Sequence, residues 1–512
     1  AEVWTKNLEC GMPRSTPYDM PASPLPDSIS PKYLPEVSEL RDAFNEWRAT
    51  SRELHTMEAK RISKNLGVVR SLRMARELAE YSEFFYVYQA DFRGRLYSTS
   101  AGLNPQGTDQ SKGLIKFSKG KPVGEGTDWF LINGANKFGY DSVSYADRIK
   151  WVHENAERFQ AVADDPVRHR GIWSDADKPY QFLAWCFEFG EMSRMDDPSA
   201  FVSYLPVGLD GSCNGLQHFS AMLRDSVGGA AVNLLPTDKP SDIYQEVADV
   251  AYAKLQVEAK AGVAPALNWL GVLGDGMSRK LAKKPVMTLP YGSTQQACTS
   301  SIFAWVNEEA PDGFEKNTAF RHSVYLSGIL WASIGEVVIA ARAAMSWLQQ
   351  CASIMGHANA HLEYSSPLGF PVIQKNLEIK STRVRTQLAG NIRVSLGRPT
   401  GDIDTRRLKS GSSPNLVHHV DATHLMMTIL AALDMDITSF AMIHDDFGTH
   451  ACDAEALQVC IRETFIKLHT DHDVLQDFKT AQEERTGVEL PPLPDRGNLI
   501  LEAVNDSPYF FG

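Results

Sequence analysis

What this 512-residue chain lacks already narrows its class. Its seven cysteines are odd in number and scattered, with no C-x-x-C pair. That argues against a zinc site and a disulfide framework and points to a reducing compartment. An excess of positive charge is missing too. With 51 Lys and Arg against 63 Asp and Glu, the net charge is -12, so this is not a simple basic nucleic-acid binder. Any polyanion must be met by local basic clusters. No long apolar run is free of charge: the most apolar stretch, Gly328 to Met345, carries Glu336 and Arg342, so no membrane partner is expected. No signal peptide, internal repeat or low-complexity segment is visible, and the expectation is a soluble, cytosolic chain. Its length calls for two to four subdomains rather than one core.

The most informative stretch is Leu209 to Asp225, LDGSCNGLQHFSAMLRD. An apolar run from Phe201 ends on Asp210, and a small-residue turn, Gly211 to Gly215, follows. Leu216, Phe219 and Leu223 then recur at helical spacing. A strand that hands an acid to a tight turn exposes a carboxylate in a cleft, although an Asp before Gly is more often a turn or cap residue. Its counterpart lies far downstream, in Ile443-His444-Asp445-Asp446-Phe447-Gly448. There Met442 and Ile443 read as a strand and Gly448 as the close of the turn.

Around these two stretches the chain reads as follows. Residues 1–33 form a Pro- and Ser-rich arm. From about Pro35 to Tyr88 the pattern is helical, with Leu40, Phe44, Trp47, Leu54, Ile62, Leu66 and Val69 on recurring faces. Its basic residues, Arg61 to Arg76, suit either a solvated face or a phosphate backbone. Phe84 to Tyr97 is aromatic and β-prone, with Arg93 and Arg95 around Gly94, and a loop from Asn104 leads to Lys112. Trp151, Trp173 and Trp185 read as core anchors. A helix is expected over Thr237 to Val257, with Thr237 and Asp238 at its start, and another over Gly335 to Met355. Phe370 to Leu396 changes to period two. Val384, Leu388, Ile392 and Val394 alternate with Arg383, Arg385 and Arg393 about Ala389-Gly390-Asn391, which predicts a hairpin with one basic face. A loop, Gly397 to Pro414, is expected before a helix that runs through Leu430.

Phosphoryl transfer to a hydroxyl builds charge on attacking, transferring and leaving oxygens together, and two magnesium ions about 3.5–4 Å apart can clamp both ends. Magnesium takes one or two protein carboxylates plus substrate phosphates. Asp210 and Asp445 fit that demand if their strand ends meet. Arg279, Lys283 and Met287 stand at i, i+4 and i+8, so both charges fall on one helix face, where a triphosphate would offset their repulsion. Lys280 and Lys284 thicken the patch. Tyr291-Gly292 ends it with a ring able to stack under a base or sugar. Taken alone, each motif has a plain alternative: a solvated helix face, or a hairpin tip for His444 to Asp446.

The chain resembles the single-subunit RNA polymerases of T-odd tailed bacteriophages, relatives of the mitochondrial enzyme. The likeness is carried by Asp91-Phe-Arg-Gly-Arg95, Asn104-Pro-Gln-Gly107, Asp210 to Ser220, Arg279-x3-Lys283-x7-Tyr291-Gly292, Ile443 to Gly448, Leu493 to Leu499 and Tyr509-Phe-Phe-Gly512. The resemblance implies a mixed α/β, helix-rich right-hand polymerase fold. Its parts would be an N-terminal arm and thumb helices in 1–80, palm in 81–238 and 419–512, and fingers in 239–418 with the basic hairpin at 371–400. It further implies DNA-templated RNA synthesis from NTPs with two Mg2+ ions, held by Asp210, Asp445 and the Gly211 backbone. Arg279, Lys283, Tyr291, Gly292, Gly211 and His444 would serve the incoming nucleotide, with Lys283 giving a proton to pyrophosphate. Arg93, Arg95, Lys112, His418, Arg383, Arg385 and Arg393 would meet nucleic acid, the last three at a promoter. The implied partners are double-stranded DNA, the RNA transcript and a separate N-terminal promoter-binding subunit or domain. The implied setting is the cytoplasm of an infected bacterium.

Three features depart from the family pattern: the chain begins where the family's thumb begins, Pro285 and Pro290 interrupt the fingers helix, and Ser142 stands where a family lysine reaches the triphosphate. Asp446 also adds a second acid beside Asp445, able to raise its neighbour's pKa. The rivals are a DNA polymerase of the same palm type and a non-catalytic nucleic-acid-binding subunit. Against the first, Gly215 occupies the position where DNA polymerases carry a ribose-excluding glutamate, leaving room for a 2′-hydroxyl. Against the second, none of Asp210, Asp445, Lys283 and Tyr291 is lost.

Overall fold

Glu39–Leu78 (α1) is the first helix among the residues that the computed structural model describes, which are 12–13, 16–25, 39–310, 313–314, 318–386 and 393–512. Much of the expected N-terminal arm, and the hairpin tip at Leu388 to Ile392, lie outside these. In α1 the expected apolar faces do not all find a core: Ile62, Leu66 and Val69 stay exposed. The aromatic stretch after it yields only a short hairpin, Tyr88–Ala90 (β1) with Leu96–Ser98 (β2).

A helical layer follows: Asp109–Gly113 (α2), Thr127–Phe138 (α3), Tyr145–Glu154 (α4), Ala156–Asp164 (α5), Arg170–Trp173 (α6) and Pro179–Met192 (α7). The small ladder of Lys121–Pro122 (β3) and Val202–Ser203 (β4) borders it. Trp185 on α7 is its anchor. The ring is fully buried, stacks on Phe189 at 4.7 Å and Phe182 at 5.5 Å, and donates its indole N–H to the Phe130 carbonyl. Gly134 on α3 lies so close that a Cβ there would come 2.2 Å from the Trp185 ring. This fixes α3 against α7. Trp173 is equally buried, Trp151 only partly.

Val207–Asp210 (β5) leads through the turn into Asn214–Leu223 (α8), a helix buried at every position, as expected of a central helix. Ser226–Ala231 (α9) follows. The next helix starts later than its sequence suggests. Ile243–Lys260 (α10) is capped by Asp242, whose carboxylate accepts from the Tyr244 and Gln245 amides; Thr237 to Pro240 precede it as turn. Then come Ala264–Leu273 (α11), Arg279–Thr288 (α12), Gln295–Glu309 (α13), Ala319–Val337 (α14) and Ile339–His357 (α15). A 99° bend at Val338 divides α14 from α15, so the helix expected from Gly335 is split.

Two hairpins follow, Leu362–Ser365 (β6) with Pro371–Gln374 (β7) and Leu377–Arg385 (β8) with Arg393–Ile403 (β9). The loop expected over Gly397 to Pro414 is absent. Its first half is strand β9, and its second half opens Thr405–Asp434 (α16), one helix running through Pro414. By length and composition α16 could cross a membrane, as could α14 with α15 together, but 61% of its most apolar window is buried in the protein. Asp446–Thr449 (β10), Ala454–Asp471 (α17) and Val474–Thr486 (α18) complete a helix-rich mixed α/β chain.

Candidate active site

The site is built on one short ladder. Strand β5 pairs antiparallel with β10, placing Asp446 opposite Asp210 and Phe447 opposite Leu209. Alternation sends Leu209 and Phe447 into the core, both about 1% exposed, and leaves Asp210 and Asp446 on the other face. Met442 and Ile443 are not the strand the sequence suggested. They precede a tight turn in which His444 takes a left-handed φ of 56° and Ile443 bridges Asp446. Gly448 lies within the strand, opposite Gly208, rather than closing the turn. The Gly211 N–H donates to the Asp445 carbonyl at 3.3 Å, so the two acid-bearing segments meet. Phe511 bridges Gly211, and the Gly512 N–H donates to the Asp210 carbonyl at 3.2 Å, adding the chain's last residues to the same edge.

Three carboxylates therefore crowd one spot. Asp210 reaches solvent through a cavity but lies deep in the protein. Lost solvation, then the charges of Asp446 and Asp445, push it up to about 7. Asp445 is half-buried; lost solvation, then Asp421, pushes it up to about 6. Lys178 and Lys137 offset this cluster only in part, and a bound cation would relieve the rest. No group of three His, Cys, Asp or Glu among the described residues is close enough to form a metal cage. Magnesium needs no such cage when substrate phosphates complete its shell, so two carboxylates beside the Gly211 backbone fit it.

A cavity of about 750 Å³ opens from Asp210 and Asp445. Arg279, Lys283 and Met287 all line it from α12, as their spacing predicts. Ser278 caps α12, and Pro285 sits inside it without ending it. Arg279 donates to Asp242 at 2.5 Å and lies 5.1 Å over the Tyr244 ring, while Lys283 makes no ion pair among the described residues. Lys280 belongs elsewhere, paired with Glu309 at 2.9 Å, so it does not thicken the patch. Ser142 lines the cavity as well.

The floor opposite is an ion-pair network. Arg95 donates two hydrogen bonds to Asp421, which is almost fully buried in α16. Burial pushes Asp421 up to about 6, against the pull of Arg95, leaving it ionised at neutral pH. The same pairing overcomes the desolvation of Arg95 and keeps that guanidinium charged. Arg93 pairs with Asp91 at 2.6 Å and reaches His418 Nδ1 at 2.5 Å. Burial, then Arg95 and Arg93, lower His418 to about 2, so the ring is neutral and accepts at Nδ1. His418 stacks on Tyr291 with centroids 4.7 Å apart. Burial lowers His444 to about 4, and it packs edge-on to Tyr97 at 4.8 Å.

Two glycines gain physical reasons. Gly292, at φ 77°, lies where a Cβ would come 3.1 Å from the Ser410 carbonyl, whose helical partner Pro414 cannot supply. Gly215 does not leave open space. A Cβ there would meet Pro290 at 2.8 Å, so packing explains this glycine and removes the argument that it makes room for a 2′-hydroxyl.

Of the expected residues, Asp210, Asp445, Gly211, Arg279, Lys283, Tyr291, Arg95 and His418 line one cavity. His444, Gly292, Lys112, Arg93, Arg383, Arg385 and Arg393 do not. Lys112 is half-buried in α2. The three hairpin arginines are exposed, with Arg385 directly opposite Arg393 and Arg383 on the same face. Asp421, Asp242 and Tyr244 were not singled out from sequence. A lone acid between Val420 and Ala422 in an apolar helix was the available signal for Asp421, since a buried charge demands a partner.

The sequence model of the DNA-dependent RNA polymerase family matches residues 121–489. The chain is 34% identical over 486 residues to the mitochondrial DNA-directed RNA polymerase 1 of Arabidopsis thaliana, covering 93% of this chain and 49% of that protein. It is 33% identical over 521 residues to T7 RNA polymerase of Escherichia phage T7, covering 92% and 58% respectively. It is similarly 33% identical to the DNA-directed RNA polymerase of Enterobacteria phage K11, covering 91% and 56%. The chain spans about half the length of the curated relatives it matches.

Proposed function

Because this chain belongs to the family of DNA-dependent RNA polymerases, we propose that it extends an RNA strand on a DNA template from NTPs. The carrying observation is one cavity lined by Asp210 and Asp445 together with Arg279 and Lys283. The 3′-hydroxyl oxygen would attack the α-phosphorus, forming one P–O bond as the bond to pyrophosphate breaks. Two Mg2+ ions at Asp210, Asp445 and the Gly211 carbonyl would supply charge stabilisation at both ends of that displacement. Arg279, steadied by Asp242, would grip the triphosphate, and Lys283 would hand a proton to the departing pyrophosphate. Tyr291, backed by neutral His418, would present a ring face to the sugar or base, with Gly292 allowing close approach and His444 flanking the acids. Arg95 acts through its pair with Asp421, holding the floor in place.

In this reading residues 1–80 are arm and thumb, 81–238 and 419–512 palm, and 239–418 fingers. Lys112 and Arg93 would lie beside the hybrid or template. Like charges opposite each other on a hairpin destabilise it. Arg385 facing Arg393, with Arg383 alongside, therefore suits a basic ribbon reading a promoter groove. A separate N-terminal subunit or domain would bind promoter DNA, which agrees with relatives about twice as long. The phage relatives support action in the cytoplasm of an infected bacterium, and the plant relative marks an organelle as the alternative.

The test is extension of an RNA primer on a preassembled DNA template by the purified chain with Mg2+. Extension with NTPs alone is expected. Extension with dNTPs alone would establish the DNA polymerase of the same palm type, the rival that Asp446 recommends. Silence with a co-expressed partner present would leave a binding role.

A further inference from the structure

The third carboxylate, Asp446, is the feature that two-acid chemistry does not use. Its register opposite Asp210 puts both acids on one face of a two-stranded, four-residue ladder. An extra negative charge there would tighten cation binding and repel an incoming triphosphate. Something must offset it, and no direct ion pair to Asp446 exists among the described residues.

Gly208 shows what does. It lies on the same face, two residues before Asp210. A point one Cβ bond above it is 2.8 Å from Asp446 Oδ1 and 3.5 Å from Lys137 Nζ. Carboxylate and ammonium therefore both lie close over the glycine, no more than about 6 Å apart. Lys137 makes no direct ion pair among the described residues. Burial, then the repulsion of Lys178, lowers its ammonium to about 8 against the pull of Asp446 and Asp210, so it still carries its charge at neutral pH. Its backbone is held in place. Lys137 occupies the last turn of α3, its carbonyl accepts from the Lys178 N–H at 3.0 Å, and Gly134 three residues earlier abuts the buried Trp185 ring.

We propose that Lys137 is the internal counter-cation of Asp446: a positioning residue that offsets the third carboxylate and thereby sets how tightly the Asp210–Asp445 site holds a divalent cation. Gly208 keeps the space between the two charges clear. The inference rests on the reading of Asp210 and Asp445 as metal-holding residues.

Mn2+ binding to the full chain, with no nucleotide or nucleic acid, tests it by titration calorimetry or electron paramagnetic resonance. Removing the cation in Lys137→Met should tighten Mn2+ on the order of tenfold, and removing the anion in Asp446→Ser should weaken it by a similar factor. Lys137→Arg, which keeps the charge, should stay within about twofold of the parent. Lys137→Gln serves the same purpose should the methionine variant melt early. Unchanged or weaker Mn2+ binding in a Lys137→Met protein that melts like the parent overturns the proposal. Mn2+ binding that Asp210→Asn abolishes while Lys137→Met leaves it unchanged overturns this inference alone. A parent that binds no Mn2+ overturns the metal reading with it.

Discussion

Two antiparallel ladders in this protein make opposite use of charge. The β5–β10 pair is only four residues long, yet it holds Asp210 and Asp446 side by side, because Leu209 and Phe447 on its other face are locked in the core. The β8–β9 hairpin pairs strands of nine and eleven residues and sets Arg385 against Arg393, with nearly every residue exposed. A core can hold like charges together through packing. An exposed two-stranded ribbon has little beyond its own cross-strand bonds and is marginal in water. The first ladder carries its repulsion within the fold, where a bound cation would relieve it. The second presents its repulsion to solvent, where an anionic partner would relieve it.

The largest expected effect falls on the buried ladder. Asp210→Asn or Asp445→Asn should lower primer extension on the order of a thousandfold or more with the fold intact. An Arg383→Ala, Arg385→Ala, Arg393→Ala triple variant should leave extension on a preassembled template within about twofold. Near-normal addition by either Asn variant would remove the metal assignment and collapse the contrast.

Stability should divide in the same way. Phe447→Ala is expected to cost about 3–5 kcal/mol in denaturant unfolding, through lost burial and the cavity left behind. Val384→Ala on the hairpin, opposite Val394, should stay within about 0.5 kcal/mol. Arg95→Met joins the first group. It strands Asp421 without its partner, and breaking a buried pair costs about 3–5 kcal/mol. Equal losses at Phe447 and Val384 would mean that the hairpin is packed after all.

The pH response sharpens the comparison further. A carboxyl must lose its proton before it can hold a cation. Asp210 and Asp445 are raised to about 7 and about 6, so Mn2+ affinity should be full above about pH 8 and fall as pH drops through those two values. The same raised values mean that these acids favour the fold of the metal-free protein at low pH, a contribution lost as pH rises through 6 and 7. Arginine charge does not titrate in this range, so DNA binding through the hairpin should follow salt instead. The triple arginine variant should flatten the slope of log affinity against log salt by about 2–3 units. An Mn2+ affinity flat from pH 5.5 to 8 would show that the acids do not hold the ion.

Much of the candidate site was legible because its signals are local. The four-residue spacing of Arg279, Lys283 and Met287 fixes them on one helix face wherever that helix packs, and all three line the cavity. The small-residue turn after Asp210 marks a strand-to-helix corner in the same way. Errors arose where a distant segment overrode local pattern. The start of α10 moved to Asp242, which both caps the helix and takes Arg279. Pro414 reads as a helix boundary, yet α16 runs through it, with Gly292 packed against the carbonyl that Pro414 leaves free.

The sequence by itself determined a mixed α/β class with several subdomains, the residue types able to hold a cation and a triphosphate, and the face on which the basic residues of α12 stand. These follow from short-range geometry and chemistry. Only the tertiary structure decided that Asp446 sits in register with Asp210 across 235 intervening residues, that Arg95 answers Asp421, that Pro290 fills the space above Gly215, and that Lys137 faces the third acid. Those outcomes depend on which distant surfaces close over one another. Packing and charge pairing settle that together, and no window of sequence contains both partners.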